Sequence, residues 1–219
     1  MCDAILFDND GTIVDTRELI LDSFHHSMEA VLGYTLPDED VIARVGIPLA
    51  DQVREFTSNE EDAMRMLRIY REHNHEHHDA RVKAFPGIVD ALEELHGAGI
   101  PLGVVTSKMH ALAWRGLEIV GAAPYLTCCI GADDCPVHKP KPEPILAGIR
   151  ALEELGGGAP LDLARCAYVG DSIFDIQAGN AAGCKTIAVT WGMGPRADLE
   201  AANPTHIVDT MEELLSICM

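Results

Sequence analysis

From residue 85 onward the chain repeats one pattern: an amphipathic helix, a break, and a short strand that is apolar on both faces. In "FPGIVDALEELHGAGIPLGVVTSK", Pro86 and Gly87 open a helix that turns Ile88, Val89, Leu92 and Leu95 inward. Gly97 and Gly99 end that helix, and "IPLGVVTS" follows as a strand. The alternation continues through "CCIGADD", "PEPILAGIRALEELGGG", "RCAYVGDS", "IQAGNAAG", "KTIAVTWG" and "HIVD" to a terminal helix. Strands with no polar face cannot sit against water, so the pattern predicts an α/β fold with a parallel sheet covered by helices on both sides. An earlier strand, "ILFDNDGT" at residues 5–12, opens the chain.

Residues 16–82 break the rule. "TRELILDSFHHSMEAVLG", "PDEDVIARV", "LADQVREF" and "EEDAMRMLRIYREH" all have helical periodicity, and no convincing strand lies among them. The organisation this predicts is a sheet-bearing core from 1–15 and 83–219, with an all-helical domain from 16–82 inserted into it.

With 219 residues and 47% hydrophobic content, the chain has enough apolar surface for such a core. The formal net charge is −19, a balance that repels nucleic acid and anionic membranes while leaving room for a local positive pocket. Seven cysteines without Cys-x-x-Cys spacing, no apolar run of spanning length and a start directly into a strand point to reduced thiols and a cytoplasmic protein.

The strand ends carry the chemistry. The first runs into Asp8-Asn9-Asp10-Gly11-Thr12, the second into Thr106-Ser107, and the fourth into Gly170-Asp171-Ser172 with Asp175 four residues beyond Asp171. In a parallel sheet these termini converge at one rim, where ligands bind. Carboxylates crowded there are tolerable around a divalent cation, and hard oxygen donors suit Mg²⁺. Lys139 in "HKPKPEP" adds a positive charge for an anion, Thr106 a hydroxyl, and the backbone N–H groups after Asp8 a nest for a phosphoryl group. Together they describe phosphoryl transfer through an aspartyl intermediate.

The order of "DNDGT", "VVTS", "KPKPEP" and "GDSIFD" resembles the four signature elements of the haloacid dehalogenase superfamily, over nearly the whole chain. The resemblance implies a Rossmann-like core, and it makes residues 16–82 similar to the small helical cap of the branch of phosphoglycolate phosphatase-like and pyrophosphatase-like enzymes. It implies Asp8 as nucleophile and Asp10 as general acid and base, with Thr106 and Lys139 holding the transferring group. The implied Mg²⁺ ligands are Asp8, Asp10 through its backbone carbonyl, and Asp171, with Asp175 acting directly or through water. Gly11, Thr12 and Ser107 would contact substrate from the core, and Arg44, in "ARVGIPLADQV", from the cap.

Each residue also has a plain structural role open to it. Asp8 and Asp10 can start a turn, Asp175 can close a cap opened by Ser172, Thr106 can be a satisfied strand-end hydroxyl, and Lys139 and Lys141 can be solvated. "EHNHEHHD", with His73, His75, His77 and His78, reads as a solvated helix end rather than a zinc site, and Trp114 and Trp191 as core or sheet-edge residues. The expected substrate is a small phosphorylated metabolite, phosphoglycolate-like, with pyrophosphate as the alternative. The apolar run Ile47-Pro48-Leu49 departs from what a sugar phosphomutase cap would need. A phosphoacceptor signalling domain would lack the second acid, Asp10, and the helical insertion.

Overall fold

The computed structural model describes residues 2–219. Six parallel strands form one sheet in the order β5-β4-β1-β6-β7-β8. They are β1 (Ala4–Phe7), β4 (Leu102–Val105), β5 (Cys128–Ile130), β6 (Cys166–Gly170), β7 (Lys185–Val189) and β8 (His206–Val208). The remaining two strands, β2 (Val14–Asp15) and β3 (Lys83–Ala84), pair antiparallel as a separate ribbon, Val14 opposite Ala84 and Asp15 opposite Lys83.

Both faces of the sheet are covered, as its apolar strands require. Successive side chains of β1 point to opposite sides. Ile5 and Phe7 join Leu102, Val104 and Val169 beneath α5 (Ile88–Gly97) and α10 (Met211–Cys218). Ala4 and Leu6 join Val105 and Tyr168 beneath α7 (Glu143–Leu155) and α8 (Ile173–Ala182). Two further helices, α6 (His110–Ile119) and α9 (Arg196–Ala201), complete the set after residue 85.

The register sets the site. Phe7 lies opposite both Val104 and Val169, so the residues after β1, β4 and β6 emerge at one rim. The chain runs out from β1 to β4 on one side and to β6 on the other, which makes that rim the topological switch point of the sheet.

Between β2 and β3 lie only helices: α1 (Arg17–Leu32), α2 (Asp38–Ile42), α3 (Leu49–Phe56) and α4 (Glu60–Arg81). They have a core of their own, where Phe24 meets Phe56 edge-on at 5.4 Å and Tyr70 at 4.6 Å, with Met28, Met66, Val41 and Val53 around them. Met193, from the loop after β7, also packs into this cluster. The chain leaves and re-enters the sheet-bearing part side by side through the β2–β3 ribbon.

The histidine-rich stretch is not a solvated helix end. α4 continues through it to Arg81, burying Asn74 and His78, and His73 stacks between His26 and His77 at 4.7 and 4.3 Å. Trp114 and Trp191 pack at the border of the main core. All seven cysteines are free, and among the described residues no helix is long and apolar enough to cross a membrane.

Gly148 of α7 rests directly on the sheet: a Cβ there would lie 2.7 Å from Val105 Cγ2 and 2.9 Å from Leu6 Cδ1. Because both neighbours are core side chains with little room to move, Gly148→Ala is expected to destabilise the protein by about 1–3 kcal/mol. Urea unfolding checks this, and an unchanged midpoint would contradict the packing.

Candidate functional site

Asp8 follows β1 directly and is buried. Lys139 Nζ lies 3.1 Å from its Oδ1, yet that oxygen accepts no well-directed hydrogen bond. The same ammonium donates to Asp175 Oδ1 at 2.6 Å and to the Tyr168 hydroxyl at 3.2 Å, and that hydroxyl donates to the Val105 carbonyl at 2.8 Å. Asp175 Oδ2 accepts from Ser172 N and Oγ at 2.9 and 2.6 Å, and Ser172 Oγ accepts from Asp175 N, a complete capping box at the start of α8. Asp175 therefore does the structural work of a cap and also holds Lys139, and all its oxygens are occupied.

Asp171 follows β6. Its Oδ1 accepts from Thr12 Oγ1 at 3.1 Å and its Oδ2 from Met193 N at 2.7 Å. Gly11, at φ +82°, makes room for it: a Cβ on Gly11 would lie 2.1 Å from Asp171 Oδ2. Gly192 crowds the same side chain, its Cβ position 2.3 Å from Asp171 Cβ. Gly11 and Thr12, expected to bind substrate, instead shape Asp171. The Gly11 N–H goes to the Val14 carbonyl, and the fully buried Thr12 hydroxyl goes to Asp171.

Asp8, Asp171 and Asp175 offer carboxylate oxygens within 4.8 Å of one another. Burial pushes the Asp8 carboxyl well above its ordinary range, with Asp175, Asp171 and Asp10 adding to the rise and Lys139 opposing it. Burial and Asp175 raise Asp171 to about 7. A group this disfavoured as an anion, beside an Asp8 oxygen without a hydrogen bond, fits a hard divalent cation. Asp8 and Asp171 keep lone pairs for it. The Asp10 carboxylate lies outside this group.

The Asp10 side chain turns the other way. Its Oδ1 accepts from Thr16 Oγ1 at 2.7 Å and from Lys108 Nζ at 2.9 Å. Burial would raise its pKa, but Lys108, by charge and hydrogen bond, and Thr16 outweigh it and hold the carboxyl below its ordinary value. Thr106 Oγ1 accepts from Lys108 N at 3.2 Å, and Ser107 Oγ donates to the Gly46 carbonyl at 2.6 Å, tying the strand-end loop to the segment between α2 and α3. Lys108 and Thr16 were missed in the sequence, although Lys108 directly follows Thr106-Ser107 and Thr16 opens α1.

A cavity of about 310 Å³ opens over this rim, lined by Asp8, Asp10, Thr106, Ser107, Lys108 and Asp171 on one side and by the helical segment on the other. Arg44 is not part of its wall. Its Nε pairs with Glu55 at 3.1 Å, Nη1 donates to the Asp40 carbonyl, and the guanidinium lies over the Phe56 ring. The cationic residue the helical segment does bring to the cavity is Arg71 of α4.

The family model for haloacid dehalogenase-like hydrolases matches residues 5–189. The chain belongs to this family. Within it, the chain is 36% identical over 214 residues to pyrophosphatase PpaX of Anoxybacillus flavithermus, covering 98% of this chain and 95% of that one. Pyrophosphatase PpaX of Bacillus velezensis matches with the same identity and coverage. A haloacid dehalogenase-like hydrolase from Streptococcus pneumoniae superposes with TM-score 0.84 at 26% identity, covering 100% and 99% of the two chains. A predicted phosphoglycolate phosphatase from Haemophilus somnus superposes with TM-score 0.87 at 23% identity, covering 100% and 98%, a likeness of fold. The haloacid dehalogenase-like assignment makes the protein a hydrolase with this family's α/β fold.

The raised carboxyl of Asp171 has a consequence for stability. A folded-state pKa raised from 3.8 to about 7 means that the native protein binds more protons than the unfolded chain between those values. In chelator, the stability this contributes is full below about pH 4 and is lost as pH rises through about 7. The thermal midpoint in chelator is expected to fall across that window, and added Mg²⁺ to restore it increasingly toward higher pH. Parallel curves with and without Mg²⁺ would contradict a cation at these carboxylates.

Proposed function

We propose that the chain is a Mg²⁺-dependent phosphatase that takes the phosphoryl group of a small phosphomonoester onto Asp8 and releases it to water. Residues 16–82 serve as the cap that closes over the reaction. The observation that carries this reading is Asp8 itself: a buried carboxylate at the switch point, ion-paired with a buried ammonium at 3.1 Å, within reach of two further buried carboxylates and facing a cavity. A divalent cation held by Asp8, Asp171 and the Asp10 carbonyl would neutralise the crowded carboxylates and offset charge on the phosphoryl oxygens.

The chain's own groups do the rest. Asp8 attacks phosphorus in line, and the bond to the leaving oxygen breaks as that oxygen takes a proton from Asp10. Water then attacks the acyl phosphate, gives its proton to Asp10, and phosphate departs from Asp8. The contact with Lys108 favours the anionic Asp10 that the second step uses, so the first step requires Lys108 to loosen its hold. Thr106 and Lys139 steady the phosphoryl group, and Asp175 is a positioning residue for Lys139. Ser107, by tying its loop to Gly46, helps seat the cap, and closure excludes water from the transfer.

Pyrophosphate is a second reading, favoured by the relatives named pyrophosphatase. Either substrate requires the same aspartates. Asp8→Asn is expected to abolish phosphate release from p-nitrophenyl phosphate with the fold intact by circular dichroism. Asp10→Asn should lower kcat by about 10²–10⁴-fold, the usual worth of a positioned acid and base. Full activity in either variant would refute the assignment.

Because Arg44 is spent on Glu55 and Phe56, Arg44→Ala should leave KM within about twofold of wild type, the small effect usual for a side chain outside the contact surface. A large rise in KM would place that side chain in the cavity after all.

A further inference from the structure

We infer that Cys2 and Cys218 form a site of reversible oxidation, at which a hydroperoxide closes a disulfide that clasps the segment before β1 to α10. The site is independent of the phosphatase reading and lies at the opposite edge of the sheet from the catalytic rim. Cys2 comes two residues before β1, whereas Asp8 follows the other end of that strand.

The backbone fixes the pair. The Cys2 N–H donates at 2.7 Å to the carbonyl of Cys218, the last residue of α10, and the Asp3 N–H donates to the Arg165 carbonyl at 2.9 Å, so Cys2 is held on both of its peptide units. Standard bond lengths then keep the two Cα atoms within about 6.6 Å of each other, inside the roughly 4.4–6.8 Å that disulfides span. Both side chains belong to the same apolar cluster, Cys2 3% and Cys218 0% exposed, so neither has to leave the core to meet the other.

The chemistry separates this pair from the other buried thiols. A hydrogen bond from the Cys218 thiol lowers the Cys2 thiol to about 7 against the pull of burial, Lys185 at the start of β7 assists, and the same contact pushes Cys218 up. Near neutral pH a substantial share of Cys2 is therefore thiolate, next to a thiol able to resolve its oxidised form. Burial instead raises Cys128 and Cys184 to about 11 and Cys129 and Cys166 to about 12, which keeps those four protonated.

With hydrogen peroxide as the oxidant, the Cys2 thiolate attacks one peroxide oxygen. The S–O bond forms, the O–O bond breaks, and hydroxide leaves and takes up a proton as water, with Cys2 now a sulfenic acid. The Cys218 sulfur then attacks the Cys2 sulfur. The S–S bond forms as the S–O bond breaks, and the departing hydroxide takes the Cys218 proton as a second water. Two thiols lose two electrons and two protons, and the peroxide gains them. A dithiol reductant reverses the step by thiol–disulfide exchange. Because the bond joins residues 2 and 218, it restrains nearly the whole described chain when unfolded.

The test treats the full chain near neutral pH with hydrogen peroxide, caps the remaining thiols with N-ethylmaleimide and maps the peptides by mass spectrometry. One cross-linked pair carrying Cys2 and Cys218 is expected, two hydrogens lighter than the reduced peptides and absent after dithiothreitol. The cross-linked protein should melt about 5–15 °C above the reduced one. In Cys218→Ser, dimedone should trap a sulfenic acid on Cys2 with no cross-link, whereas Cys135→Ser, which removes a half-buried thiol elsewhere, should give the wild-type cross-link. The wild-type map stands whether or not either variant folds. Cross-linking of Cys2 to another cysteine, recovery of Cys2 as a capped thiol after peroxide, or a melting temperature that does not rise in the cross-linked protein overturns the inference.

Discussion

The buried ammonium of Lys139 is the charge on which the rim of the sheet depends. It lies between Asp8 and Asp175, receives the Tyr168 hydroxyl as a third neighbour, and is shut off from water. Without it, the ends of β1 and β6 would place uncompensated carboxylates in a medium that tolerates none, a cost of several kcal/mol per ion. Its attraction to the two aspartates outweighs the burial that would otherwise discharge it, and its own pKa is raised. The lysine alone does not balance three acids, however. Asp8 and Asp171 remain pushed toward neutrality, an imbalance that a divalent cation at these carboxylates would relieve.

The same economy of contacts ties stability to chemistry. Asp175 caps α8 through Ser172 with one oxygen and fixes Lys139 with the other, so the helix start and the buried ammonium share one side chain. Gly11 and Gly192 lack side chains where Asp171 must approach the backbone, and Thr12 and Met193 N–H then orient it. On the other side of the rim, Thr16, the residue immediately before α1, donates its hydroxyl to Asp10. The Asp10 carboxylate is thus held by the segment through which the chain passes into its helical part. Movement of that part and the setting of Asp10 are mechanically connected.

The strand ends were legible in the sequence because parallel apolar strands have one possible rim, and Asp8, Asp10, Thr106, Asp171 and Asp175 stand at it whatever the details of packing. Lys139 was readable for a similar reason, as a lysine in a proline-stiffened loop before a helix. What sequence could not supply was side-chain direction. Arg44 and Arg71 both lie in the helical insertion, and only the structure shows that Arg44 turns to Glu55 and Phe56 while Arg71 borders the cavity. Thr12 and Gly11 sit close to Asp8 in sequence but face Asp171 in space. His78 looked solvated because its neighbours are charged. It is buried because α4 lies against α6, where its imidazole packs over Gly116.

The central claim is that Asp8 becomes covalently phosphorylated, and that it does so only with a divalent cation beside it. Acid-quenching the enzyme during turnover of p-nitrophenyl phosphate, followed by peptide mass mapping, tests this directly. The account predicts one phosphoryl group on the peptide carrying Asp8, present with Mg²⁺ and absent in chelator and in Asp8→Asn. An adduct on another residue, or the same Asp8 adduct at equal yield in chelator, would contradict it.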